Sequence, residues 1–194
     1  MRFCLSWLQE YLEIEVSVER IVQALINLGL EVEEVIDQGA VCRGFKLGKV
    51  AKFEKHPNAD RLNYCFIDIG EAELVSVVCG GSNVRQDMLV AFAPPGVTIP
   101  ATGDVLKVGV VRGVESKGML CSLDELLLGT AENHEIMDIH TAMPVGTFLD
   151  QVLGLNDVII DVSITPNRGD CFSVHGIARD LDVAFNKNLR IFCF

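Results

Sequence analysis

The stretch Leu62-Asn63-Tyr64-Cys65-Phe66-Ile67-Asp68-Ile69 alternates around Tyr64, Phe66 and Asp68, the period-two pattern of a half-buried strand. Before it, Phe45–Phe53 alternates more loosely. After it, Leu74–Cys79, Met88–Ala93 and Val105–Val111 are short apolar runs, each closed by Gly, Pro or Asp-rich turns such as Pro94-Pro95-Gly96. These are five predicted strands spaced roughly 12–15 residues apart, which is the rhythm of a small closed all-β unit.

Outside this middle segment the pattern changes to helices. Ser6 and Gln9 form a capping box ahead of Trp7, Leu8, Tyr11 and Leu12 on one face. A second helix is predicted from Ser17, with Val18, Ile21, Val22, Leu25 and Ile26 at helical spacing and Gly29 placed to end it. Leu30–Ile36 and Val158–Ile164 read as strands. The turn Thr165-Pro166-Asn167-Arg168-Gly169-Asp170 leads into a helix from Ser173 with Val174, Ile177, Ala178, Leu181 and Phe185 on one face. Charge divides the chain at similar points. Residues 1–39 carry two basic and eight acidic residues, residues 40–125 ten of each, and residues 126–194 four basic and nine acidic. The expected fold is α+β, mostly β: a five-stranded Greek-key barrel of the OB type at 40–150, inserted into a small discontinuous α/β domain made of 1–39 and 151–194. Periodicity alone leaves other small barrels open.

With 194 residues and 49% apolar composition, the chain has the means to bury a core without disulfides or metal. No run approaches the ~20 apolar residues of a membrane helix, and Glu10 and Glu13 interrupt any signal-peptide pattern. Seven cysteines (4, 42, 65, 79, 121, 171 and 193), an odd number without a C-x-x-C, read as reduced buried thiols of a cytoplasmic protein. His134 and His140 have no partner at ligand spacing, so no metal is expected. No P-loop or Rossmann glycine pattern is present, so ATP is not expected to bind this chain. The net charge of −11 argues against nucleic acid, but the near-neutral middle segment opens with Arg43, Lys46, Lys49, Lys52 and Lys55 against Glu54 alone.

Three ordered motifs, His56-Pro57-Asn58-Ala59-Asp60-Arg61-Leu62, Val78-Cys79-Gly80-Gly81-Ser82-Asn83-Val84 and Gly113-Val114-Glu115-Ser116-Lys117-Gly118-Met119-Leu120-Cys121-Ser122, resemble the tRNA-binding OB-fold domain. The flanking motifs Leu5-Ser6-Trp7-Leu8, Leu25–Glu33 and Ile164–Cys171 running into His175–Leu181 resemble the β subunit of bacterial phenylalanyl-tRNA synthetase. That subunit is several times longer, so the resemblance implies an N-terminal fragment, matching poorly over Asn186–Phe194. Gly81-Ser82, where the family usually shows Ala-Pro or Ala-Ser, is a mild departure, as is the leucine-rich stretch Leu126–Leu128. It implies a parent that attaches phenylalanine to tRNA with ATP and magnesium in an α2β2 assembly with an α subunit. It implies no catalytic, metal or cofactor site in this fragment and no membrane contact.

The RNA-contact candidates are Lys49, Lys52, Lys55, His56, Arg61, Ser82, Asn83, Arg85, Ser116, Lys117 and Met119. On a regular strand Lys46 and Lys52 face one way and Lys49 and Lys55 the other, so phosphate contact at a barrel rim competes with ordinary solvated charge. Asn83 has two readings, a cap of its own turn or a base contact. His56 is a turn residue or a phosphate donor. Ser116-Lys117-Gly118-Met119 reads as a flexible platform for single-stranded RNA, or with Met119 entering the core. The middle segment's few rings (Phe45, Phe53, Tyr64, Phe66, Phe92) lie mostly in apolar strand positions, so binding to tRNA is expected to be weak and mainly electrostatic. Arg168 and Asp170 form an ion pair within their turn or meet another domain or subunit, and Ser173 caps its helix.

Overall fold

The computed structural model describes residues 1–130, 135–187 and 189–190. His134, Cys193 and most of the poorly matching tail lie outside them. In chain order the elements are β1 (Arg2–Cys4), α1 (Leu5–Tyr11), α2 (Val18–Asn27), β2 (Glu31–Asp37), β3 (Lys46–Lys55), β4 (Asn63–Asp68), β5 (Val75–Cys79) and β6 (Leu89–Ala93). They continue with β7 (Gly109–Val111), β8 (Val114–Ser116), β9 (Met119–Leu120), α3 (Leu149–Val152), β10 (Val158–Ser163) and α4 (Val174–Phe185). Short 3-10 turns cover Gln38–Cys42 and Pro166–Cys171. The chain divides into two compact units, Met1–Gln38 with Asn156–Phe194, and Gly39–Leu155.

In the first unit, β1 and β2 both pair antiparallel with β10, giving the order β1-β10-β2. Leu8, Ile21, Leu25, Ile160, Ile177 and Leu181 form its core with the apolar stripes of the three long helices. Gly29 (φ +80) ends α2 as expected, and the Ser173 hydroxyl caps α4 by accepting from the Gly176 N–H at 3.0 Å. The capping box does not form. Cys4 is the N-cap of α1, and Asp157 satisfies both the N–H and the hydroxyl of Ser6 from across the sequence.

The second unit holds a nearly closed five-stranded antiparallel barrel of order β5-β4-β3-β6-β9, the OB-like mostly-β fold expected. Closure comes from the segment around β8, where the Lys117 N–H donates to Ser76 C=O and the Val78 N–H to the Ser116 hydroxyl. Val50, Cys65, Ile67, Val77, Val90 and Phe92 fill the interior. A second cluster, including Phe45, Leu47, Ala91, Leu126 and Leu149, packs on the outside of β3 and β6, so that side of the barrel is covered by its own chain.

The fifth strand is not where the apolar run placed it. Val105–Val111 forms only a bridge at Val105 and one arm of the separate hairpin β7–β8, and the barrel is completed by β9. Val105 is 53% exposed and Val110 71%, so these β-branched residues fit a strand without entering the core.

Candidate nucleic-acid interface

A bulge sets the lysine positions. Val50 pairs with Ile67 but Lys52 with Phe66, leaving Ala51 as the extra residue in β3. Cross-strand partners share a face. Lys49, opposite Asp68, and Lys52, opposite Phe66, therefore both point outward. Lys46 and Lys55 fall on the other face at opposite ends of the strand. This differs from strict alternation, which separates Lys49 from Lys52.

The outer face of β4 carries Tyr64 and Phe66, both half-exposed, with ring centroids 4.8 Å apart in edge-to-face contact. The Lys52 ammonium lies 5.9 Å from the Phe66 centroid, in cation–π range. Ser76 and Val78 of β5 extend this face. The expectation that rings lie mostly in apolar positions thus holds for Phe45 and Phe92, which are buried, and fails for Tyr64, Phe66 and the exposed Phe53. The outward direction of Tyr64 and Phe66 was available in the alternation of 62–69, because Cys65, Ile67 and Ile69 take the inner face.

The barrel rim at the end of β3 gathers a second group. Lys55 pairs with Asn63, Asn63 with Cys79, and the Asn63 side chain donates to Gly81 C=O at 3.3 Å, which brings the 80–82 turn alongside. Lys55, Arg61 and Ser82 are exposed here. His56 is 5% exposed and has a structural position. Its Nδ1 accepts from the Asn58 N–H at 3.0 Å, which leaves Nε2–H to donate to Val111 C=O at 3.1 Å. With both nitrogens occupied inside the fold, the ring is a turn residue rather than a phosphate donor.

The Asn83 side chain reaches beyond its own turn. Its amide accepts from Ile136 N–H at 3.0 Å and donates to Ile136 C=O at 2.9 Å, clasping a segment 53 residues away. Arg85 is ion-paired with Asp138 in the same region. Ser116 is 7% exposed, accepting from Val78 N–H and donating to Gly118 C=O. Gly118 is no hinge, since a Cβ there would stand 2.4 Å from the Phe92 ring. Met119 is half-buried against the outer core cluster. The 116–119 segment is therefore a packed closure of the barrel from which only Lys117 is exposed, ion-paired with Glu115 at 3.6 Å. Lys49 pairs with Asp87 at 2.7 Å and Lys52 with Glu54. Such exposed pairs are worth about 0–1 kcal/mol each, so a phosphate can displace the carboxylate.

Arg168 donates to Asp170 at 3.2 Å, to Asp180 and to Leu28 C=O, holding its turn to α4 and to the end of α2. Arg168 and Arg179 hold the Asp170 carboxyl down at about 2. Asp170, Cys171 and Asp180 are the one group of three possible metal ligands among the described residues, and these arginines already neutralise its carboxylates. Burial pushes the thiol of Cys42 up to about 11 and that of Cys65 up to about 12, and also raises Cys79 and Cys121. No described helix is long and apolar enough to cross a membrane.

Comparison with known proteins places the chain in a family. The chain is 45% identical over 184 residues to the phenylalanine–tRNA ligase beta subunit of Zymomonas mobilis, covering 95% of this chain and 23% of that protein. It is 47% identical over 182 residues to the corresponding subunit of Rhodospirillum rubrum, covering 93% and 22%. The chain thus spans about a quarter of the length of the curated relatives it matches. A crystal structure of a MetRS-related protein from Pyrococcus horikoshii aligns with a TM-score of 0.39 at 24% identity, over 53% of this chain and 85% of that one. Residues 45–148 match the model described as a putative tRNA binding domain, more than half of the chain, and the chain belongs to that family.

Proposed function

We propose that this chain is the N-terminal tRNA-contacting portion of a phenylalanine–tRNA ligase β subunit, and that it meets RNA with the outer face of β4 and the Lys55 rim. The observation that carries the reading is the division of the barrel's exterior. The β3–β6 side is closed by the chain's own core, whereas the β4 side leaves Tyr64 and Phe66 open with Lys52 above Phe66. Rings for stacking beside exposed cations are what a single-stranded or looped RNA segment needs. The domain boundaries 1–39, 40–150 and 151–194 go with this reading, the barrel acting as the RNA module of the middle segment.

The parent protein, in the cytoplasm, attaches phenylalanine to its tRNA using ATP and magnesium, in an α2β2 assembly with an α subunit. The residues of this chain do not fit ATP or magnesium. The sequence contains no phosphate-cradling glycine loop, and arginines occupy the one described carboxylate cluster. Lys49, Lys52, Arg85 and Lys117 all being ion-paired favours a second reading, a barrel that packs within the assembly and touches RNA little.

Filter binding of the 194-residue chain to tRNA decides between them. The RNA reading predicts weak binding with a log–log salt slope of roughly −2 to −3, from three or four phosphates. Loss of binding on charge reversal at Lys52, Lys55 and Lys117 supports it. No binding at ~50 mM salt, or reversal that leaves affinity unchanged while assembly with the α subunit fails, gives the structural reading.

A further inference from the structure

The hairpin β7–β8 turns through two residues, Arg112 and Gly113, between the paired Val111 and Val114. Both have positive φ, +47° and +89°, the signature of a type I′ turn. That turn favours Asn-Gly, and an arginine there sits in a backbone region that L side chains with a Cβ avoid. The turn is held from the 56–58 loop at two points. His56 Nε2–H donates to Val111 C=O, and Asn58 Nδ2–H donates to Arg112 C=O at 2.9 Å. This latch fixes the turn's backbone beside the loop that runs from Lys55 to Arg61. Lys55, Arg61 and Arg112 are exposed and make no ion pair or side-chain hydrogen bond among the described residues, with Asp60 as the exposed carboxylate of the same loop. Lys46, Lys49, Lys52, Arg85 and Lys117 of the same unit, by contrast, have carboxylate partners.

We propose that Arg112, presented by its latched turn beside Lys55 and Arg61, is a phosphate-contacting residue of the RNA interface. The αL backbone at Arg112 is a cost to folding that an asparagine would lessen, and backbone strain of this kind is tolerated where a side chain is being aimed at a ligand. The proposal rests on the RNA reading above and adds to it a residue and the backbone device that positions it. Phosphate, rather than a base edge, is the matching chemistry, because what Lys55, Arg61 and Arg112 share is exposed positive charge.

The test compares the 194-residue chain with R112N, R112G and R112K by thermal melting and by titration with bulk tRNA from ~50 to ~250 mM salt. R112N and R112G suit the turn, so both should melt no lower than the parent. Each should bind tRNA roughly 3–10-fold more weakly at ~50 mM salt, with a slope shallower by about 0.7–0.9, the loss of one phosphate contact. R112K should keep the parental slope. If the parent binds tRNA and both neutral variants match its affinity and slope, Arg112 is not a contact and the wider RNA reading survives. If the parent does not bind, that reading falls and this proposal with it.

Discussion

Replacing Asn83 with alanine separates a clasp from an RNA contact. The wild-type amide forms two hydrogen bonds of 2.9 and 3.0 Å to the backbone of Ile136, a residue only 6% exposed that packs into the barrel core. Each bond contributes about 1 kcal/mol net, and a buried partner left unsatisfied costs more, so N83A should lose about 2–3 kcal/mol. N83D keeps the acceptor for Ile136 N–H but sets a carboxylate against Ile136 C=O, and should fall by a similar amount. The assay is urea denaturation followed by far-UV circular dichroism, with hydrogen exchange at the Ile136 amide as the local probe. The chain's single tryptophan, Trp7, belongs to the other unit and is unsuited to report this one. Exchange at Ile136 should accelerate in N83A while tRNA affinity, measured on folded protein, stays within about twofold. A variant as stable as the parent to within ~0.5 kcal/mol, or one that loses tRNA affinity with no loss of stability, refutes the clasp.

Cys42, Cys65, Cys79, Cys121 and Cys171 should resist alkylation of the native protein at pH 8, since burial raises every one of these thiols, with Cys4 modified ahead of them. Site-resolved mass spectrometry before and after adding denaturant checks this. Asp170 is held at about 2 by Arg168 and Arg179, below its unfolded value of about 3.9. A depressed folded value gives stability that is complete above about pH 4 and disappears as pH falls toward about 2. D170N should therefore flatten the acid limb of the melting profile between those pH values, and an unchanged limb would contradict the assignment.

Local signals were legible and long-range ones were not. Strand positions 62–69 and 88–93, the Ser173 cap, Gly29 and the Arg168–Asp170 pair depend on neighbours within a few residues, and the sequence places them to within about two positions. The Ser6 capping box lost to Asp157, a partner 151 residues away. Asn83 and Ser116 likewise found partners 53 and 38 residues off, which turned two polar candidates for RNA into structural ties. The bulge at Ala51 has no marker in its own residues, yet it decides that Lys49 and Lys52 share a face. The valines of 105–111 carry strand propensity without a core to enter, which no periodicity distinguishes from a barrel strand. Arg112 escaped notice because a positive φ at arginine is not written in the sequence, whereas the Gly113 beside it hints at the turn.

The central claim is that the β4 face and its adjoining rim are the RNA surface of this chain. An NMR titration of the labelled 194-residue chain with tRNA tests it residue by residue. The account predicts shifts or broadening at Lys52, Tyr64, Phe66, Lys55, Arg61 and Arg112, with Asn83, Ile136 and the α4 helix undisturbed. Perturbation confined to α4 and its Arg168 turn, or to the segment at 136–138, would contradict it.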